Sequence, residues 1–409
     1  MPAPSRLSGL RSLAAGTRDN PLVRRGPRVF AVDHESVQVT WSSLPKSEVT
    51  LRAYPSSGSR SATGSGSVRT LDHAGGPGAM TVSLLPSSTD LVIEVSIDGE
   101  LASKLTCRTS APVPGEELDR FFTMSDLHLN KNDFGLRGTM VDRSGDPVPF
   151  APRCATAAIA EATDWGARAL IVKGDIVDFS TVEGWAIAGD TIGPAALPVG
   201  LDSWYLPGNH EINEWSDAAA VDAASAVGIH LIESVELVER PGVHVVMADT
   251  GIDSVHSGTI APHQIEQICE HVAAARAAGA LCMIVMHHQL QQTRVPLYYP
   301  PGIPAGPRDA LVSALRRAGP VHLITSGHTH RHRRFEVGRI VCSEVGSPKD
   351  YPGTWGGYAV HEGGLRQIVR RVEAPNCIAW TEHSRFAAYG AWGVWSPGSL
   401  DDRCFTVLR

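Results

Sequence analysis

Between residues 28 and 108 apolar and polar side chains alternate. Val37, Val39 and Trp41 interleave with Gln38 and Thr40, and Val49, Leu51 and Ala53 with Thr50 and Arg52. Leu91, Ile93, Val95 and Ile97 interleave with Val92, Glu94 and Ser96. Side chains on a strand point alternately to its two faces, so a period of two marks strands with one buried face. The stretch predicts about six such strands and no helix. A Ser/Gly run, SSGSRSATGSGS (56–67), interrupts them and reads as a flexible loop. Short strands separated by turn residues predict a small antiparallel β-sandwich over residues 28–112. Residues 1–27 have no periodicity and read as a poorly ordered arm.

After a polar linker, TSAPVPGEE (109–117), strand-like and helix-like segments take turns. Strands are predicted at Arg120–Met124, Ala169–Lys173, Leu201–Leu206, Val243–Ala248, Leu281–Met286, Val321–Thr325 and Ile340–Val345. Helices are predicted at Ala151–Gly166, Ser216–Val227, Pro262–Ala278 and Arg308–Ala318. Such alternation predicts an α/β domain, placed at 113–375, with 376–409 as a C-terminal extension packed on it. No internal repeat of 20–50 residues is visible.

Composition narrows the classes. The chain has 409 residues, enough for two domains. A net charge of −7 argues against nonspecific affinity for nucleic acid or anionic lipid. No apolar run reaches the length of a membrane span, so no membrane partner is expected. The seven cysteines form no C-x-x-C pair and read as buried thiols of a reducing compartment. The N-terminal residues lack an apolar signal core, so the expected location is cytoplasmic.

Five short segments then change the picture: SDLH (125–128), GDIVD (174–178), GNHE (208–211), MHHQ (286–289) and GHTH (327–330). Each follows an apolar, strand-like run. In α/β sheets the loops at the carboxyl ends of strands converge on the ligand site, so five distant segments can meet. Their carboxylates, imidazoles and amide suit Zn, Mn, Fe and similar ions, and no thiolate is offered. Asp126 and His128 are two apart, as are His328 and His330, which on an extended strand end would face one side. Gly174, Gly208 and Gly327 would let the backbone turn beside a metal without a Cβ clash.

In this order the segments spell D-x-H, G-D-x-x-D, G-N-H-E, H and G-H-x-H, a set that resembles the calcineurin-like metallophosphoesterases over roughly residues 118–362. The resemblance implies a four-layered α/β/β/α catalytic domain and two transition-metal ions, with Fe, Mn or Zn expected. It implies Asp126, His128 and His330 on one metal, and Asn209, His287 and His328 on the second. Asp175 would bridge the two. His287 is chosen over His288 because the family's ligand is the first of the pair. His210 would stabilise transition-state charge or protonate the leaving oxygen, with Asp178 orienting its ring. Physical logic agrees: cations about 3.5–4 Å apart can clamp the attacking and leaving oxygens of an in-line displacement and supply hydroxide near neutral pH.

The N-terminal strands, through VTWSSLP (39–45) and TDLVIEVSIDGELASKLTCRT (89–109), resemble a fibronectin type III-like domain. Purple acid phosphatases pair such a domain with this catalytic fold. Their iron-binding tyrosine would fall three residues after the bridging aspartate, where this chain has Asp178, and His128 stands where they carry another residue type. The resemblance therefore implies no tyrosinate colour and a site closer to the bacterial phosphodiesterases. Phe179 and Ser180 replace the Arg-Gly of protein Ser/Thr phosphatases, which makes a phosphoprotein substrate less expected.

The expected activity is hydrolysis of a small-molecule phosphate ester, preferably a diester, by hydroxide bridging two metals. The alternatives are a phosphomonoesterase and a non-enzymatic binding module on a metal-stabilised scaffold. Oligomeric state is not legible. RHRR (331–334) reads as a solvated turn, with a second anion site as the sharper alternative. The Pro-rich segment 293–307 reads equally as a lid, with Tyr298 and Tyr299 stacking on a base, or as a rigid surface loop. Trp380, Trp392 and Trp395 carry no functional reading beyond packing of the tail.

Overall fold

A computed structural model describes residues 26–57, 66–212, 218–253, 255–295 and 299–409. Most of the N-terminal arm, the centre of the Ser/Gly run and Tyr298 lie outside the described residues.

The alternating N-terminal stretch forms seven strands rather than six: β1 (Arg28–Val32), β2 (Val37–Leu44), β3 (Ser47–Pro55), β4 (Ser67–His73), β5 (Gly76–Val82), β6 (Asp90–Ile97) and β7 (Glu100–Arg108). They make two antiparallel sheets, ordered β1-β2-β5 and β4-β3-β6-β7. Val37, Val39, Trp41 and Met80 of the first meet Val49, Leu51, Ile93 and Val95 of the second in one buried cluster. The polar half of the alternation is used too. On β2 the intervening Gln38 and Thr40 are also buried, because they face the rest of the chain. The Gln38 amide bonds the backbone of Arg371, and the buried Arg371 guanidinium reaches Thr40 at 2.9 Å and Glu382 at 2.9 Å. Asp33 pairs with Arg366 at 3.1 Å, both nearly inaccessible.

Twelve of the remaining strands build two six-stranded sheets, and Asp133–Phe134 and Met140–Val141 pair in a separate two-stranded one. The first contains β8 (Glu117–Met124), β9 (Ala169–Lys173), β10 (Asp202–Leu206), β17 (Thr354–His361), β18 (Gly364–Arg371) and β19 (Cys404–Leu408), ordered β10-β9-β8-β17-β18-β19. The second contains β11 (Val235–Arg240), β12 (Val243–Ala248), β13 (Leu281–Met286), β14 (Leu323–Ser326), β15 (Arg333–Val337) and β16 (Ile340–Glu344), ordered β11-β12-β13-β14-β16-β15. Strands β8, β9 and β10 run parallel, as do β12, β13, β14 and β16. Their carboxyl ends therefore present loops in register.

Both faces of these strands are buried, which is why they read as continuous apolar runs. Phe121, Ile171, Leu206 and Tyr358 from one sheet meet Val245, Met283, Val285 and Leu323 from the other. Phe122, Leu170 and Val172 turn outward onto helices α1 (Phe150–Asp164) and α2 (Val182–Ala196). Val246, Ile284 and Ile324 turn outward onto α4 (Pro262–Ala278) and α5 (Ala305–Ala318), α3 (Ala218–Ala226) lying between α2 and α4 in the chain. The result is the expected α/β/β/α order of layers. Helix α1 shows how local sequence sets this: Ala151, Cys154, Ala155, Ala158, Ile159 and Ala162 recur at helical spacing and all are buried.

Helix α2 escaped the sequence pattern, since Gly184, Gly189, Gly193 and Pro194 mask its period. So did β17 and β18. After Ala391–Trp395 (α7) and Leu400–Arg403 (α8), which follow α6 (Pro375–Ser384), the chain ends in β19. That strand pairs antiparallel with β18, so the last residues belong to the sheet itself.

Candidate metal centre

Five parallel strands end where the five motifs begin. Strand β8 stops at Met124 before Ser125–His128, β9 at Lys173 before Gly174–Asp178, and β10 at Leu206 before Gly208–Glu211. From the other sheet, β13 stops at Met286 before His287 and β14 at Ser326 before Gly327–His330. The two sheets thus deliver three and two loops to one place.

The local backbone corrects one expectation. Asp126 and His128 do not sit on an extended strand end, and neither do His328 and His330. Asp126 (φ 57°), His128 (φ 43°), Asp175 (φ 51°), His328 (φ 66°) and His330 (φ 52°) all adopt the left-handed conformation. Five of the twelve described non-glycine residues with positive φ are candidate ligands. That conformation is costly for side chains with a Cβ and concentrates at functional sites. It is held by tight packing. A Cβ on Gly208 would stand 2.2 Å from Asp175 Oδ1, and one on Gly174 would stand 2.6 Å from His287 Nδ1.

Asp175 lies at the centre. Its Oδ1 is 3.4 Å from His287 Nε2, and its Oδ2 is 3.6 Å from His128 Nε2. His287 Nε2 also stands 3.3 Å from Asn209 Oδ1. On the other side His330 Nε2 is 3.5 Å from Asp126 Oδ1. The ligand atoms of Asp126, His128 and His330 all lie within 4.8 Å of one another, as do those of His287, His288 and His328. The structure therefore brings all seven sequence-predicted ligands to one buried spot. Nε2 of His128 and of His328 is buried and has no hydrogen-bond partner among the described residues. A buried ring nitrogen with no partner is costly, and a cation is a fitting partner for it.

The opposite ring nitrogens are anchored. His128 Nδ1 bonds Asp178 Oδ1 at 2.9 Å, and His330 Nδ1 bonds Asp350 Oδ2 at 2.7 Å. His287 Nδ1 bonds the Lys173 carbonyl at 2.7 Å. The Pro301 carbonyl faces the His328 ring. These contacts leave Nε2 of His128, His287 and His330 directed inward, as metal-ligating imidazoles require.

Asp178 serves two rings: its carboxylate bonds His128 Nδ1, while its backbone carbonyl accepts from His210 Nδ1 at 2.7 Å, with the carboxylate 3.6 Å from that nitrogen. The reason is geometric. Asn130 Oδ1 accepts from Asp178 N at 2.6 Å and pins the turn, while Lys131 holds both carboxylate oxygens at 2.9 and 3.0 Å. His210 still reaches the centre, with Nε2 at 4.0 Å from Asp175 Oδ2.

Electrostatics follow from burial and close charges. Burial lowers the His128 pKa to about 3, with Lys349 and His210 adding to the effect. Burial would also lower that of His287, but the facing Asp175 carboxylate overcomes it and lifts the value to about 9. His210 is raised as well: burial opposes the shift, and Asp175 drives it. Burial and Asp175 lift Glu211 to about 7.

Several residues here carried no assigned role in the sequence. Glu211 accepts the backbone N–H groups of Asp175 at 2.8 Å, Val177 at 3.0 Å and Gly208 at 2.6 Å, tying two motif loops together. Its place in GNHE was the available signal. Asp350, twenty residues after His330, had none. Lys173 is fully buried beneath the centre and donates to the Ser326 carbonyl at 2.6 Å. His288 is held by Thr250 at 2.9 Å, yet its Nε2 is buried with no partner among the described residues. The first half of RHRR is no solvated turn, since Arg331 and His332 are buried and Arg331 pairs with Glu344 at 2.7 Å, whereas Arg333 and the exposed Arg334 open β15. Tyr299 is exposed.

No protein-family model and no curated protein matches the sequence. Solved structures do resemble it. A dimetal phosphatase from Danio rerio is 14% identical, with 63% of this chain and 97% of that one covered at a TM-score of 0.48. PhoD is 9% identical, with 88% of each chain covered and a TM-score of 0.43. The sulfate thiohydrolase SoxB of Thermus thermophilus is 15% identical, with 67% and 60% covered and a TM-score of 0.41. At such identities the likeness concerns the course of the chain.

Proposed function

We propose that the chain is a two-metal phosphoesterase. The observation that carries this reading is Asp175: its two oxygens face two different histidines, His287 and His128, each belonging to a separate group of donors. That is the arrangement of a carboxylate shared by two cations. Asp126, His128 and His330 would hold one ion, and Asn209, His287 and His328 the other. Fe, Mn and Zn all suit such nitrogen and oxygen donors.

Bound there, the cations would polarise phosphate oxygens and make water acidic enough to attack near neutral pH. The protein's own groups do the rest. His210 is more exposed than any of the ligand imidazoles, at 28% of its side chain, and its Nε2 lies 4.0 Å from Asp175 Oδ2. Its Nδ1 is fixed by the Asp178 carbonyl, so Nε2 faces the centre. The Asp175 carboxylate shifts its pKa upward, the direction that suits a group donating to a charged oxygen or to the leaving group. Asp178 acts through His128 as a positioning residue. The closed, left-handed loops hold the donors before substrate binds.

The preferred substrate is a small-molecule phosphodiester, a reading supported by His128 and Asp178 at the positions discussed above. Turnover of a bis-aryl phosphate against a mono-aryl phosphate tests it. A diester preference is expected, and turnover of the monoester alone would reverse the choice. A binding module on a metal-stabilised scaffold predicts metal uptake with neither reaction.

A further inference from the structure

We infer that Tyr351 is a positioning residue of the metal centre, through which the N-terminal sandwich holds Asp350 against His330. The inference rests on the two-metal part of the reading above and gives the sandwich a share in it.

The five motifs follow five parallel strands. A sixth loop follows β16, whose parallel pairing with β14 brings its carboxyl end to the same side. This loop, residues 345–353, is buried throughout. One side of it meets the centre. Ser347 Oγ donates to the Asp126 carbonyl at 2.8 Å and accepts from Lys349 N at 3.1 Å. Asp350 Oδ2 bonds His330 Nδ1 at 2.7 Å and accepts from Lys349 Nζ at 3.1 Å. The loop therefore touches Asp126 and His330, two of the three donors assigned to one ion.

The other side meets the sandwich. Tyr351 follows Asp350 directly and is 3% exposed. Its hydroxyl accepts from Arg28 Nη2 at 3.0 Å, and Arg28 opens β1. Its N–H donates to Ser384 Oγ at 2.8 Å, at the end of α6. The guanidinium groups of Arg371 and Arg385 lie 5.4 and 5.6 Å from the ring centroid. Both also bond hydroxyls of β2: Arg371 reaches Thr40 at 2.9 Å, and Arg385 reaches Ser42 at 2.8 Å. Glu382 accepts from the same two arginines at 2.9 and 2.8 Å.

A phenol held by a charged donor and flanked by two more cations has little freedom. A close-packed interior passes a displacement on rather than absorbing it. A shift of Tyr351 thus reaches Asp350 through one peptide unit. The carboxylate behind a ligating imidazole sets that ring's orientation and basicity, so the ion held by His330 would feel the change.

Zinc competition against a chromophoric chelator, on the full-length protein, tests this with Tyr351→Phe, Arg28→Met and the double variant. Tyr351→Phe keeps the ring and removes the acceptor. Arg28→Met removes the donor at a half-buried position, outside the core. Each is expected to weaken one ion by about three- to tenfold, the ion that Asp350→Asn also weakens, and to leave the other within about twofold. The double variant should lose no more than either single one, since both remove the same contact. In zinc-loaded protein labelled with 15N-histidine, the His330 Nδ1–H resonance, assigned by its absence from His330→Gln, is expected to move in Tyr351→Phe. A residue that only joined the two domains would lower the melting temperature and leave that resonance in place. Both ions within twofold of wild type, both weakened alike, additive losses in the double variant, or an unmoved His330 resonance would each overturn the assignment. Wild type that shows the split in zinc affinity but cleaves no ester overturns the phosphoesterase reading alone. Wild type that takes up no zinc overturns both.

Discussion

On one half of the centre His128 and His330 lean on carboxylates; on the other His287 and His328 face peptide carbonyls. The first half is charged behind the ligands. Asp178 bonds His128 and is paired with Lys131, and Asp350 bonds His330 and is paired with Lys349 at 3.1 Å. The second half is neutral behind them, with the Lys173 and Pro301 carbonyls, and an amide of Asn209 that lies 3.4 Å from His256 Nδ1. Carboxylate backing raises the basicity of an imidazole ligand more than a carbonyl does. The difference teaches that the two cation positions, though joined by Asp175, are unlike in electronic character. Among the ligand imidazoles, His330 of the carboxylate-backed half is the most exposed, at 15% of its side chain.

Changes at the centre should separate these halves. The largest effect is expected at Asp175, which both halves share: Asp175→Asn should lower kcat/KM by more than about 1,000-fold and weaken both ions, as read by metal analysis. His287→Ala should remove the ion of the carbonyl-backed half alone, whereas His288→Ala should retain it. Loss of metal from the His288 variant only would move the ligand to the second residue of the pair. His210→Ala should lower turnover by about 100- to 10,000-fold with both ions kept, because this residue touches substrate rather than metal. The smallest effect sharpens the comparison most. Asp178→Asn should weaken one ion by about 10- to 100-fold in a chelator competition and leave the other at its wild-type affinity. Equal weakening of both ions would erase the distinction between the halves.

The same contrast marks what the sequence could show. The inward-facing donors were legible because each sits immediately after a buried strand, and apolar runs such as Leu281–Met286 are conspicuous. The groups behind them were not. Asp350 reaches His330 across a fold in the chain, and the two carbonyls carry no side-chain signature at all. Asp178 was visible, but its carboxylate's bond to His128 was not, since residue spacing cannot tell a carboxylate contact from a backbone one. The left-handed turns at Asp126, His128, His328 and His330 were hidden for a related reason: aspartate and histidine do not announce positive φ as glycine does.

At the level of the fold, strands with uniform burial were read to the residue, as with Ala169–Lys173, Val243–Ala248 and Leu281–Met286. Elements broken by glycine were missed, as with Thr354–His361, where Gly356 and Gly357 interrupt the apolar pattern. Those glycines are there for packing: a Cβ on Gly357 would meet the Trp165 ring at 2.7 Å.

The central claim is that one carboxylate joins two cation positions of unequal strength. Titrating zinc into the metal-stripped, folded protein by calorimetry tests it most directly. The account predicts two equivalents per chain, resolved into two affinities, with both weakened together in Asp175→Asn. A single equivalent, or two that survive the loss of the Asp175 carboxylate, would contradict it.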